Sequence, residues 1–180
     1  MHKTHALPLA LACVLALLAG CHAHRDTAPV ANAMAIPAPT VELRERRPGL
    51  YTAAQPAAGD WSVIAARGVG TVIDLRAPGE LKDRDEAAEV RAAGMRYIAI
   101  PVAGAAAIDD AHAHALRAAL EAANGPVLVH CASGNRVGGL LALMEARSGT
   151  MTAEQALEFG RSAGMGSTEA RVRELLDAGE

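Results

Sequence analysis

The stretch VLVHCASGNRVGG, residues 127–139, places a His-Cys pair at the end of an apolar run, followed by four small residues, an arginine and two glycines. Each residue type has a chemical use at that spacing. A loop built from Ala132, Ser133, Gly134 and Asn135 can curl so that successive backbone N–H groups converge on one point, and a following helix adds the positive end of its dipole. Arg136 closes the loop with a planar fork suited to two oxygens of a phosphate or sulfate. The field that attracts such an anion also stabilises a thiolate on Cys131, so one loop can recognise a ligand and activate a nucleophile. A lone cysteine is often no more than a small buried hydrophobe. Its neighbours are what point to chemistry here.

A strand must deliver Cys131 and a helix must carry the loop away. PVLVH reads as that strand, and residues 137–147 as the helix, with Gly138 and Gly139 letting its start pack close to the sheet. Upstream, LYTAA, VGTVIDL and MRYIAIPV read as strands, the last ending at Pro101. Between them lie helical patterns: DWSVIAAR, capped by Asp60 and stopped by Gly68; LKDRDEAAEVRAA, ending at Gly94; and a long one whose cap is Asp109 or Asp110, with Gly125 beyond its end. Two more helices follow, 153–163 after a Thr152/Gln155 capping box and 168–178. Alternating strands and helices predict an α/β fold, a central, mainly parallel sheet of about four strands with helices on both faces. Ligands of such sheets sit beyond the carboxyl ends of the strands, so residues 76–80, 101–104 and 131–136 should meet around one pocket. Arg76 then falls at the pocket wall. Glu80, Asp109 and Asp110 are the carboxylates in reach as acids, although helix capping accounts for the two aspartates and a solvated loop position for Glu80.

The His-Cys loop closed by an arginine resembles the signature of the cysteine-dependent protein tyrosine and dual-specificity phosphatases. The stretches LYTAAQP, GVGTVIDLRAPGE, AAGMRYIAIPV and NGPVLVHCASGNR occur in the order seen in a bacterial phosphatase-like family described as beta-lactamase hydrolase-like. The resemblance implies a phosphatase-like fold, Cys131 as the nucleophile that attacks phosphorus, Arg136 as the holder of the phosphoryl oxygens, and His130 as a buttress that helps to stabilise the thiolate. The chain departs from the phosphatase pattern at three points. Four residues rather than five separate the cysteine from the arginine, Val137 stands where a hydroxyl residue is usual, and no aspartate closely follows the third strand. The six-residue CASGNR also resembles the active-site loop of rhodanese sulfurtransferases, in which the cysteine carries a persulfide, and IDLRAPGE resembles a stretch of that fold. A module that binds a phosphorylated or sulfated ligand without turning it over is the remaining reading.

Composition and the N-terminus bound the rest. Residues 1–20 combine a short basic start with an apolar run too brief to span a bilayer comfortably, as in a signal peptide. Ending on LAG before Cys21, they resemble the lipobox of bacterial lipoproteins, which implies lipidation of Cys21 and a bacterial envelope location, facing the periplasm. Residues 21–47, rich in Ala and Pro, read as a tether, and 48–180 as one domain. With Cys13 leaving and Cys21 lipidated, Cys131 has no disulfide partner in the chain. A net charge of -3 without a long basic run, and 2% aromatic residues, argue against nucleic acid as partner. The expected partners are an anionic substrate and, through Cys21, a membrane. His112 and His114 sit two apart on a helix and face different ways, and His22 and His24 lie in the tether with no further ligands near, so no metal or cofactor is expected.

Overall fold

Residues 38–179, which the computed structural model describes, form β1 (Arg44–Arg47), β2 (Leu50–Ala53), α1 (Asp60–Ala66), β3 (Thr71–Asp74), α2 (Glu86–Ala92), β4 (Arg96–Ala99), a 3-10 turn (Ala105–Ala107), α3 (Asp110–Glu121), β5 (Val127–His130), α4 (Asn135–Arg147), α5 (Ala153–Ser162) and α6 (Glu169–Asp177). The signal segment, Cys21, His22 and His24 lie outside the described residues. The strands form one sheet in the order β1-β2-β5-β3-β4. β5 is central and parallel to β2 and β3, β4 is parallel to β3, and only β1 runs antiparallel.

Strand alternation divides the core in two. Leu50, Ile73, Val127 and Val129 face one side, where they pack with residues of α3, α4, α5 and α6. Val72 and Leu128 face the other, with Trp61 and Ile64 of α1 and Val90 of α2. Helices therefore cover both faces, as the sequence pattern implies. The same period of two sends the last strand residue and the next to opposite sides. His130 packs its ring near Trp61, with centroids 5.9 Å apart, while Cys131 joins the core beneath α4.

The strand count is five rather than about four. The extra strand is RERR, which lies inside the stretch read as tether. It is an edge strand whose residues alternate between half-buried and exposed, so it shows no apolar run that a sequence pattern could detect. Val41 and Leu43 ahead of it pack against the α1–α2 core. Asp60 is not the cap of α1. Gly59 takes that place, and the Asp60 carboxylate accepts from the Thr40 N–H at 2.7 Å, the Thr40 hydroxyl at 2.8 Å and the Ala57 N–H at 2.9 Å. Folded structure thus begins before Pro48.

Two helix starts bear on the site. α2 begins at Glu86, with Asp85 accepting from the Ala88 N–H, so residues 81–84 belong to the loop after β3. α4 begins at Asn135, which places Arg136 in its first turn. Its Gly138 lies against the turn after α5, where an added Cβ would stand 2.7 Å from the Met165 Cα; Gly139 faces Thr168 and Ile108. These glycines admit neighbouring helical segments and not the sheet.

Candidate active site

Cys131 is fully buried at the end of β5, and its thiol sulfur accepts the Gly134 N–H at 3.1 Å. That inward turn of the amide depends on Gly134, whose φ of +87° is a left-handed conformation that costs a glycine little. The loop is held from two sides. The Gln55 N–H donates to the Ala132 carbonyl at 3.2 Å. The Asn135 side chain turns outward: its Oδ1 accepts from the Gly166 N–H at 2.7 Å and the Thr168 hydroxyl at 3.0 Å, and its Nδ2 donates to Ser167. Only the backbone of Asn135 remains for an anion.

Arg136 brings the three strand-end loops together. Its Nη1 donates to the Val102 carbonyl at 2.8 Å and lies 3.5 Å from the Leu75 carbonyl, while Nη1 and Nη2 grip Glu80 Oε1 and Oε2 at 2.5 and 2.6 Å. Glu80 Oε1 also accepts the Ala77 N–H at 2.6 Å. The bond from Arg136 holds the Glu80 carboxyl below its ordinary pKa, with burial working the other way and the Ala77 N–H adding to the lowering. The Glu80 contact in turn raises the pKa of Arg136, against the opposing effect of its burial. Convergence of the three loops thus agrees with the expectation from the sheet.

The two aspartates stand elsewhere. Asp109 caps α3, accepting from the backbone N–H of His112 at 2.8 Å and contacting its ring Nδ1 at 2.7 Å. The other ring nitrogen lies 3.1 Å from the Pro101 carbonyl, so His112 ties the loop after β4 to α3, a role its sequence position does not signal. Asp110 pairs with Arg147 at 2.8 Å. Among the four expected wall or acid residues, Glu80 is the one in contact with Arg136.

Arg76 points to the opposite side of the sheet. It bonds Asp74 through Nε at 2.9 Å and Nη2 at 2.7 Å, and its Nη2 is 2.9 Å from Glu86. The Tyr97 hydroxyl donates to Asp74 at 2.7 Å, and Gln55 donates to Glu86 at 2.5 Å. His130 Nε2 is 2.9 Å from Glu86 Oε1 but out of line for a hydrogen bond. This cluster borders a cavity of about 320 Å³, so Arg76 walls a rear cavity and not the Cys131 site. Asp74, Glu86 and His130 have donor atoms within 4.8 Å of one another, close enough to share a cation. Arg76 already lies between the two carboxylates and supplies the positive charge a metal would bring.

Residues 42–148 match the family described as beta-lactamase hydrolase-like protein, phosphatase-like domain. Similar curated proteins include a beta-lactamase hydrolase-like protein of Xylella fastidiosa, 34% identical over 128 residues, which cover 69% of this chain and 29% of that protein. The dual specificity protein phosphatase TpbA of Pseudomonas aeruginosa is 36% identical over 144 residues, covering 77% of this chain and 63% of TpbA. The chain thus spans under a third of the beta-lactamase hydrolase-like relative it matches. Among solved structures, a Cys-to-Ser variant of P. aeruginosa TpbA in complex with phosphotyrosine superposes with a TM-score of 0.60 at 27% identity, covering 74% of this chain and 82% of that one.

The rear cluster yields a stability prediction. Burial alone would raise the Asp74 carboxyl, but bonds from Arg76 and Tyr97 and the neighbouring His130 hold it below its ordinary value. A carboxyl depressed in the fold adds stability that is complete above its unfolded pKa of about 4 and is lost as pH falls through the lower folded value. Asp74→Asn leaves Arg76 short of a partner and should cost about 3–5 kcal/mol near neutral pH, with a flatter loss of stability into acid. Urea unfolding at several pH values checks both. Equal stability and an unchanged acid slope would contradict the role given to Asp74.

Proposed function

The chain belongs to the beta-lactamase hydrolase-like phosphatase-like domain family, and from that premise we propose that it hydrolyses phosphomonoesters through Cys131. The observation that carries this reading is the loop: a buried sulfur that accepts a backbone amide, closed by an arginine on which the loops after β3, β4 and β5 converge. The Cys131 thiolate attacks phosphorus, an S–P bond forms, and the ester P–O bond breaks with its electron pair leaving on oxygen. Arg136 and the loop N–H groups hold the non-bridging oxygens as charge redistributes. Glu80, displaced from Arg136 by the incoming phosphoryl group, loses a cation and gains a neighbouring dianion. Both changes raise its proton affinity, so it becomes the carboxyl group able to protonate the leaving oxygen. Water then attacks phosphorus, giving a proton to the Glu80 carboxylate, the S–P bond breaks with its electron pair on sulfur, and phosphate and the thiolate are released.

The six-residue span from Cys131 to Arg136 favours a second reading, sulfur transfer through a Cys131 persulfide, because a short ring encloses one transferred atom more readily than a phosphoryl group. We also infer that Cys21 is lipidated and holds the domain at a bacterial envelope membrane on its periplasmic side. The LAGC sequence after a short apolar run supports this, and among the described residues no helix is long and apolar enough to cross a membrane.

Assays of the chain in parallel with an aryl phosphate and with thiosulfate plus a thiophilic acceptor separate these readings, with Cys131→Ser as control. The expected outcome is phosphate release by the wild type and none by the variant. Activity in the sulfur assay alone establishes the second reading in its place, and silence in both with saturable sulfate binding leaves a binding module. For the anchor, Cys21→Ser should release the protein from the membrane fraction or block its processing; a variant that fractionates at mature size as before contradicts lipidation.

A further inference from the structure

We infer that Glu80 is a built-in occupant of the anion site, and that by competing for Arg136 it makes the site select doubly charged tetrahedral oxyanions over singly charged ones. The inference rests on the anion-binding role proposed for the Cys131 loop and adds to it a rule for which anions are admitted.

The geometry is that of a ligand. The two carboxylate oxygens of Glu80 meet the two Nη atoms of Arg136 in the paired, parallel arrangement that two oxygens of a phosphate or sulfate would adopt. The Ala77 N–H holds the carboxylate from the other side. Its side chain keeps 30% of its accessible surface, whereas Arg136 keeps 11% and Cys131 none. The pair is therefore open to solvent where the sulfur is not. A ligand that reaches Cys131 must take the fork from Glu80.

Glu80 is also placed where it can yield. It belongs to an exposed turn, closed by its own N–H on the Ala77 carbonyl at 3.2 Å, with Gly79 at φ +84°. The turn holds no core residue: Ala77 is half-buried, and Pro78, Gly79 and Glu80 are exposed. A singly charged ligand exchanges one carboxylate contact for its equivalent, forfeits the Ala77 bond and leaves a second anion nearby. It gains nothing on balance. A doubly charged ligand brings another unit of charge to Arg136 and to the amides of the loop, and that difference favours exchange.

The test compares sulfate with methyl sulfate, tetrahedral anions of similar size that carry two charges and one. Full-length wild-type and Glu80→Gln proteins are treated with iodoacetamide at constant ionic strength, and alkylation at Cys131 is read by peptide mass spectrometry, which separates it from Cys13 and Cys21. In the wild type, sulfate should protect Cys131 and methyl sulfate should not. In Glu80→Gln, unprotected Cys131 should react faster, methyl sulfate should protect, and the half-protecting sulfate concentration should fall by about tenfold, the scale of one lost charge-assisted competitor. Because the turn is exposed, the thermal midpoint of the variant should match the wild type.

Equal protection of the wild type by both anions overturns the selection rule. Weaker sulfate protection in Glu80→Gln also overturns the inference and assigns Glu80 to orienting Arg136. Phosphate release by a wild type whose sulfate protection is unaffected by the substitution overturns this inference alone. No protection of either protein by either anion overturns it together with the anion-binding reading of the loop.

Discussion

The site depends on a single guanidinium. Arg136 leaves the first turn of α4, reaches under the loops that follow β3 and β4, and contacts a carbonyl from each while gripping Glu80. Parallel strands bring their carboxyl ends to one edge of the sheet, but they do not by themselves bring the loops beyond that edge into contact. A planar group with several donors in fixed directions can do so, and a lysine cannot. The position of Arg136 is fixed in turn by the left-handed Gly134, which sets where α4 starts, and by Asn135, which ties that start to residues 166–168.

The second organising feature is the change of face at the end of β5. Cys131 lies with the α3–α6 core and His130 with the α1–α2 core, so the buried thiol and the rear ion cluster meet at the end of one strand but not on one side. Asp74, Arg76, Glu86 and Tyr97 lie with His130 on the rear side. Gln55 joins the two sides, bonding Glu86 with its side chain and Ala132 with its backbone. Buried ion pairs add little net stability compared with apolar packing, yet removing one partner is costly, which suits such a cluster to fixing geometry.

Much of this was legible in the sequence. The alternation of strands and helices, an aspartate cap at Asp109 or Asp110, the Thr152/Gln155 capping box and the convergence of three loops all follow from local patterns, and the structure contains each, with Asp109 as the cap. What stayed hidden depends on register and on long-range partners. Arg76 reads as a wall of the Cys131 site until Asp74 is known to pair with His130; two residues along the same chain direction then put Arg76 on the rear face. RERR reads as tether because an edge strand needs little apolar surface. Asn135 reads only as a loop residue offering its N–H because nothing local reveals its side chain's bonds to a segment some thirty residues away.

If one loop both binds the phosphoryl group and attacks it, a covalent phosphocysteine must form and decay in each turnover. Rapid acid quenching during turnover of an aryl phosphate, followed by peptide mass spectrometry, tests this directly. The account predicts a phosphoryl adduct on the peptide carrying Cys131, formed fast enough to account for phosphate release. Phosphate release without that adduct, or a persulfide as the only covalent species that Cys131 ever carries, would contradict it.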